Sequence, residues 1–390
     1  MLSAIVAAVV QGVVVPDTLT LERALLLAER TRGQVVVAGA GVDRARATAR
    51  LGTAIPNPQV KYEHADLALT NTVEIIQPLW WLGSSGDTRS AGNASIRRAR
   101  ADSLRTRYTV AGEVMHAFYQ VLAADQKLLL VRQQAQAADT LLRLTTRRVE
   151  LGDLSELERD QASQEVATVR LLERRSFEDA RVSRLALARA MGVHLQPDAI
   201  ITGRLASFEP ATSPSTTLIP AVVAAIEDSA AAASRLSAAR WRQLPIPGLL
   251  LKWEWGGPPN VPTNTIIGFS MPFPLWQFGQ HEVALANADA MERGALATEA
   301  RAEATRQVAE AHERMNAARE RAREATEVLY PTAQRLRVGA VRLFDSGRTG
   351  IFPVFDAFRR EREAAIIMIE ELLAMHSAAA TLVALTGPSR

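Results

Sequence analysis

The sequence predicts a mainly α protein with a minor β component, built as one half-molecule written twice. Three observations carry this. Ile76-Gln77-Pro78-Leu79-Trp80, reaching Gly83, is echoed by Phe273-Pro274-Leu275-Trp276, reaching Gly279. Leu151-Gly152 likewise matches Ser346-Gly347, and Ala190-Met191-Gly192 matches Leu385-Thr386-Gly387, so the offsets are 196, 195 and 195 residues. A fixed period of that length marks a duplicated half rather than a solenoid repeat. Second, no proline occurs between Pro78 and Pro197, a gap of 118 residues, which leaves room for unusually long helices. Third, each Pro-Leu-Trp closes a segment that alternates apolar and polar residues, the period of a strand.

The chain has 390 residues, ample to bury a core, and a formal charge of +3 from 45 basic and 42 acidic residues. The arginines are scattered among Ala, Glu and Leu rather than gathered on one face, which argues against a nucleic-acid partner. The absence of cysteine excludes disulfides, thiolate zinc sites, a cysteine nucleophile and a lipid-modified N-terminal Cys. No window approaches about 18 consecutive apolar residues, so no spanning helix is expected. Residues 1–18, opening Met1-Leu2-Ser3-Ala4-Ile5-Val6, read as a signal-peptide remnant. Their basic n-region is missing and no Ala-x-Ala site follows. A buried strand or apolar tail is the alternative.

The first repeat covers residues 19–197. A helix is expected from Leu19 to Ala54, with Thr18 or Thr20 as cap and Leu21, Ala24, Leu25 and Ala28 on one face. Pro56-Asn57-Pro58 stops it. A hairpin over about 58–79 follows, with Val60, Tyr62, Val73 and Ile75 on one face and Lys61, Glu63 and Glu74 on the other. Gly83-Ser84-Ser85-Gly86-Asp87 reads as a bend. Helices over about 88–192 reverse at a tip over 150–155, where Gly152 suits a C-cap and Asp153 or Ser155 an N-cap. The first of these helices, uncapped over some 60 residues, has coiled-coil length.

Residues 198–217, rich in Pro, Ser and Thr, form a linker, and residues 218–387 repeat the plan before a tail over 388–390. A helix reaches Arg242 and Pro245-Ile246-Pro247 stops it. The second hairpin, about 247–275, sets Trp253, Trp255, Ile267, Phe269 and Phe273 against Lys252 and Glu254. Helices over about 279–386 reverse at a tip over 344–350, and Pro331 is expected to kink the first of them. The last helix carries a stripe at alternating steps of three and four: Phe355, Phe358, Arg362, Ala365, Ile369, Leu372, His376, Ala379 and Val383.

Four short strands with one wide apolar face pose a physical problem. In a soluble α+β protein a helix must cover that face. In an outer membrane it faces lipid while the charged face meets water, which is the alternation of barrel strands. Four strands cannot close a barrel and open edges are not tolerated in hydrocarbon. Several chains must then share one barrel, and three would give twelve strands. Trp80, Trp81 and Trp276 fall where strand meets helix, the place of an interfacial aromatic belt.

From about Leu19 to Gly387 the chain resembles the TolC-like outer-membrane efflux proteins. The resemblance rests on the duplicated plan and on Gln77-Pro78-Leu79 with Gly83 beyond. It rests also on the reversals Arg148-Val149-Glu150-Leu151-Gly152-Asp153-Leu154-Ser155 and Arg342-Leu343-Phe344-Asp345-Ser346-Gly347, and on the terminal Ala-Leu-x-Gly. Met271-Pro272-Phe273-Pro274-Leu275 with Gly279-Gln280 looks most like the heavy-metal (cobalt–zinc–cadmium) branch. The resemblance implies a homotrimer whose twelve-stranded barrel sits in outer-membrane lipid, with an α-helical tunnel in the periplasm. It implies the passive exit duct of a tripartite efflux system, performing no chemistry and needing no cofactor. Its partners would be a periplasmic adaptor (membrane fusion) protein and an inner-membrane RND-type pump, and its cargo heavy-metal cations or drugs. The two reversals would form the periplasmic tip, with Arg148, Leu151, Gly152, Ser155, Arg342, Ser346 and Gly347 meeting the adaptor. The resemblance pairs Arg148 with either Arg342 or Leu343. Glu150, Asp153, Asp345 and Asp356 could ring a threefold pore as gate acids, or else cap helices and pair with nearby arginines. Pro78, Trp80, Gly83, Pro274, Trp276 and Gly279 would mark the junction of barrel and helices.

No catalytic or metal constellation accompanies these features. His64, His116, His194, His281, His312 and His376 are isolated, without metal-ligand spacing. His376 lies on the apolar stripe as a packed residue. Gly83-Ser84-Ser85-Gly86 lacks the lysine of a phosphate loop, and no Gly-x-Ser-x-Gly elbow occurs. Arg97-Arg98-Ala99-Arg100 suits salt links to facing carboxylates. Two other functions compete: a non-transporting periplasmic coiled-coil protein, which should lack lipid-type strands, and a periplasmic adaptor, which should have one helical hairpin and more β structure.

Overall fold

The computed structural model describes residues 18–66, 70–79, 81–196, 199–206, 219–244, 247–257, 262–271 and 278–388. Trp80, Phe273, Pro274 and Trp276 lie outside these residues, as do residues 1–17 and most of the 198–217 linker. The chain forms two compact units. The first comprises Met1–Val36, Arg105–Pro214 and Arg306–Arg390; the second comprises Val37–Leu104 and Ser215–Thr305.

In chain order the elements are β1 (Thr18–Leu19), α1 (Leu21–Thr31), α2 (Gly33–Thr53), β2 (Gln59–Ala65), β3 (Thr70–Pro78), α3 (Trp81–Glu150) and α4 (Glu156–Met191). There follow β4 (Ile200–Ile201), α5 (Pro220–Trp241), β5 (Gly248–Gly256), β6 (Asn264–Ser270), α6 (Gln280–Glu324), a π-helical turn (Ala325–Leu329), α7 (Tyr330–Asp345) and α8 (Phe352–Thr386). The 70 residues of α3 make a helix about 105 Å long at 1.5 Å per residue.

The first unit holds a large core cluster. Leu19, Ala24 and Ala28 pack with Val110, Val114, Phe118 and Val121 of α3, with Leu187 and Met191 of α4, and with Ile369, Leu372 and Met375 of α8. Most of the α8 stripe is buried, including Arg362 and His376; Phe358 and Val383 are half-buried. By length and composition α8 could cross a membrane, but its apolar stripe is spent on this core. The polar members of the stripe are answered by neighbours. His376 stacks on Tyr119, with centroids 3.6 Å apart, and its Nε2 donates to the Leu205 carbonyl at 2.8 Å. The Arg362 guanidinium meets Glu165 of α4 at 3.0 Å. Leu205 belongs to the segment between the halves, which β4 anchors by pairing in parallel with β1.

The second unit holds the sheet. Both hairpins join one antiparallel sheet of order β2-β3-β5-β6, in which β3 pairs with β5 from Thr70↔Gly256 to Pro78↔Gly248. Strands β2 and β6 are its edges.

Two expectations need correction. The segment Gly83–Asp87 is no bend, because α3 begins at Trp81. The glycine serves packing: a Cβ on Gly83 would lie 3.1 Å from the Trp241 ring of α5. Asp87 accepts a hydrogen bond from Ser237 at 2.7 Å, so contact with α5 favours the helical turn. The helix expected over Leu19–Ala54 is divided at Arg32, whose side chain reaches the Arg189 carbonyl (2.8 Å) and Glu113 (2.7 Å). Pro331 falls in the first turn of α7 just after the π-helical turn. A widened turn relieves the clash of the proline ring with the preceding carbonyls, so the chain stays helical through the proline.

Candidate functional site

In the sheet, register puts residues of like chemistry in rows. Lys61, Glu74 and Lys252 lie side by side across β2, β3 and β5, and Glu63, Thr72 and Glu254 form the next row. Lys61 pairs with Glu63, and Lys252 with Glu254 at 2.6 Å. The opposite face carries Val60, Ile75, Leu251 and Ile267 in one row, and Tyr62, Val73, Trp253 and Thr265 in the next. No helix covers that face among the described residues. Trp253 is 52% exposed, Ile267 75% and Phe269 77%. Towards the β2–β3 turn, Tyr62 and Trp253 flank Trp255, with centroids 6.5 and 5.3 Å away, and the Tyr62 hydroxyl donates to Asn71 at 2.8 Å.

At the strand–helix junction Pro78 lies opposite Gly248, where no donor is required of the proline. The Gln77 amide donates to the Pro56 carbonyl at 3.0 Å, and the Leu79 amide to the Pro247 carbonyl at 3.2 Å. This ties together the proline stops that end the helices before each hairpin. Gly279 has φ 71° and packs on Gln243, fixing the entry to α6.

The two helix reversals lie in the first unit and use one geometry twice. After α3 the Gly152 amide donates to the Val149 carbonyl (3.0 Å) and the Asp153 amide to the Arg148 carbonyl (2.9 Å). After α7 the Gly347 amide donates to Phe344 (3.0 Å) and the Arg348 amide to Leu343 (2.9 Å). Each glycine is left-handed, with φ 82° and 69°, and the pattern is a Schellman motif. The matching bonds make Leu343, not Arg342, the structural counterpart of Arg148. The exits differ. Ser155 caps α4 in a capping box with Glu158, whereas Ile351 opens α8 without a side-chain cap.

The structure brings the reversals together. The Arg148 guanidinium lies over the Phe344 ring, 4.5 Å from its centroid. Beside it Ala162, Phe344, Ile351, Val354 and Phe355 form a small core. Leu151, Arg342, Ser346 and Ser155 are exposed. Of the candidate gate acids, Glu150 pairs with Arg147 at 3.0 Å, and Asp356 with Arg359 (2.5 Å) and Arg360 (2.8 Å). Asp153 and Asp345 are exposed and make no side-chain ion pair among the described residues. Sequence reasoning missed Leu157 and Phe352, which together with Leu343 leave three large apolar side chains exposed beside the reversals. The available signal was an apolar residue five positions after each turn glycine, Gly152 and Gly347.

No group of metal-ligating side chains forms among the described residues. Arg97 and Arg98 meet Glu227 (2.8 Å) and Asp228 (2.5 Å) of α5, as salt links rather than a polyanion patch.

A family model described as outer membrane efflux protein matches residues 25–193. No curated protein sequence matches the chain significantly. Among solved structures, the Campylobacter jejuni CmeC outer membrane channel superposes with a TM-score of 0.78 at 14% identity, over 94% of this chain and 85% of that one. The Vibrio cholerae outer membrane protein VceC gives 0.76 at 17% identity, over 95% and 96%. The Neisseria gonorrhoeae MtrE outer membrane channel, in its open state, gives 0.76 at 15%, over 94% and 89%. The four-stranded sheet, the two reversals and the long helices together are thus the TolC-like fold seen in these outer-membrane channels.

Proposed function

We propose that three copies of this chain form the passive exit duct of a tripartite efflux system in the bacterial outer membrane. The observation that carries the reading is the four-stranded sheet, with two free edges, a charged face and an uncovered apolar face. Pairing β6 of one copy with β2 of the next removes both edges and yields twelve strands, the closure that hydrocarbon demands. The apolar rows then face lipid, and the Lys–Glu rows face a water-filled lumen.

The duct does no chemistry; energy for transport enters from an inner-membrane RND-type pump through a periplasmic adaptor. The adaptor meets the reversals through Arg148, Leu151, Gly152, Ser155, Arg342, Ser346 and Gly347, aided by exposed Leu157 and Phe352. Among the candidate gate acids, Asp153 and Asp345 are the two whose charge is not already matched. The proline-rich segment from Met271 to Leu275 supports cargo of the heavy-metal class, and drugs are the alternative. Membrane fractionation tests the duct reading: the protein is expected in the outer-membrane fraction and, after detergent extraction, at a mass near three protomers. Loss of zinc, cobalt or copper tolerance on deletion would support metal cargo; altered drug sensitivity with unchanged metal tolerance would refute it.

A further inference from the structure

The four helices of the second unit enclose a groove of about 780 Å³, floored by small residues of α2, α3 and α5. It stays open because those helices approach closely without side-chain bulk: a Cβ on Gly92 would lie 2.9 Å from that of Ala49. Leu285 of α6 supplies a large apolar wall. The charges around the groove are unequal. Arg242 meets Glu282 at 3.2 Å. Arg235 lies 4.0 Å from Asp289 and donates to Ser95 at 3.2 Å. Each carboxylate is thus matched to a guanidinium. Arg44, entering from α2, is exposed and makes no ion pair or side-chain hydrogen bond among the described residues.

We propose that this groove binds a small amphipathic organic anion, its apolar body against the Ala/Gly floor and Leu285, its acidic head on Arg44. The size suits a drug-sized ligand. A guanidinium offers an anionic head paired, charge-assisted hydrogen bonds, and the surplus positive charge repels a divalent cation. The proposal rests on the duct reading only for how a ligand reaches the groove, and on cargo it takes the organic alternative of that reading rather than its metal one.

The test uses the full chain in amphipathic polymer and a matched pair of probes, radiolabelled naphthalene-2-sulfonate and 2-naphthyl-trimethylammonium, in equilibrium dialysis. The sulfonate is expected to bind at one site per protomer, and the ammonium and zinc ion not to compete. Arg44→Glu should weaken sulfonate binding by at least about tenfold, Arg44→Gln by less, on the charge argument. Arg46→Glu, at an exposed arginine paired with Asp43 outside the groove, should leave it unchanged. No saturable sulfonate binding, equal binding of the ammonium probe, or unchanged binding by Arg44→Glu would overturn the assignment. Conductance in planar bilayers separates it from the duct reading. Sulfonate binding without a conducting pore sinks the duct and leaves the groove; a conducting pore without sulfonate binding does the reverse.

Discussion

The Arg148 guanidinium sits 4.5 Å from the centre of the Phe344 ring and joins the first helix reversal to the second. The contact is one-sided, since Leu343 takes the place of Arg148 in the second reversal's hydrogen-bond pattern. A cation over an aromatic face contributes about 0.5–1 kcal/mol where partly exposed. Arg148→Ala should therefore barely move the melting temperature, yet loosen the reversals. In planar bilayers its open probability should rise; open dwell times equal to wild type would show that the contact does not hold the tip.

The reversal glycines should each cost stability through backbone conformation alone. A Cβ on Gly152 or Gly347 would meet nothing within 4 Å, but both have positive φ. Gly152→Ala and Gly347→Ala are each expected to destabilise by about 1 kcal/mol. Gly112→Ala tests the opposite case: its backbone is helical, but the Cβ would fall 2.7 Å from both the Ala380 carbonyl and the Ala384 methyl. Overpacking of that kind costs about 1–3 kcal/mol. Thermal melts in detergent read all three, and a Gly112→Ala variant as stable as wild type would contradict the close α3–α8 crossing.

The Arg362–Glu165 pair lies within the first unit, with side chains 8% and 19% exposed. Removing one partner strands the other: Glu165→Ala should cost about 3–5 kcal/mol. Pairing it with Arg362→Met should restore most of that, because no charge is then left buried. If the double variant is as unstable as the single one, packing rather than charge governs the site.

Stability should fall in mild acid. Burial pushes the His376 imidazole below its usual pKa, opposed in part by its bond to the Leu205 carbonyl, and burial also lowers His116. A histidine with a depressed folded pKa binds its proton more readily when unfolded. Its contribution is therefore complete above the unfolded value near 6.5 and is lost as pH falls below it. Melting temperature measured from pH 7.5 to 5 should drop, and His376→Gln should flatten the slope. An unchanged slope in the variant would move the effect elsewhere.

Much of this architecture was legible because local chemistry dictates it. Gly152 and Gly347 end helices and Ser155 begins one for reasons of φ and capping that need no tertiary information, and Thr20, one of the two candidate caps, caps α1. The alternating rows of the strands were equally plain. What escaped reading depends on contacts between distant residues. Gly83–Asp87 looks like a bend until Trp241 and Ser237 are placed against it. The π-helical turn just before Pro331 has no signal in the sequence. Arg362 looks like a flaw in an apolar stripe until Glu165, almost 200 residues away, is brought to it. The groove around Arg44 has no sequence signature, since its floor is ordinary helical alanine and glycine.

The measurement that bears most directly on the shared barrel is the native mass of the protein extracted from outer membranes. The account predicts a single species of three protomers that survives dilution in detergent. It also predicts that Ile267→Arg on the exposed sheet face weakens insertion by about 2–4 kcal/mol near the bilayer midplane. A monodisperse monomer, soluble without detergent and indifferent to Ile267→Arg, would contradict it.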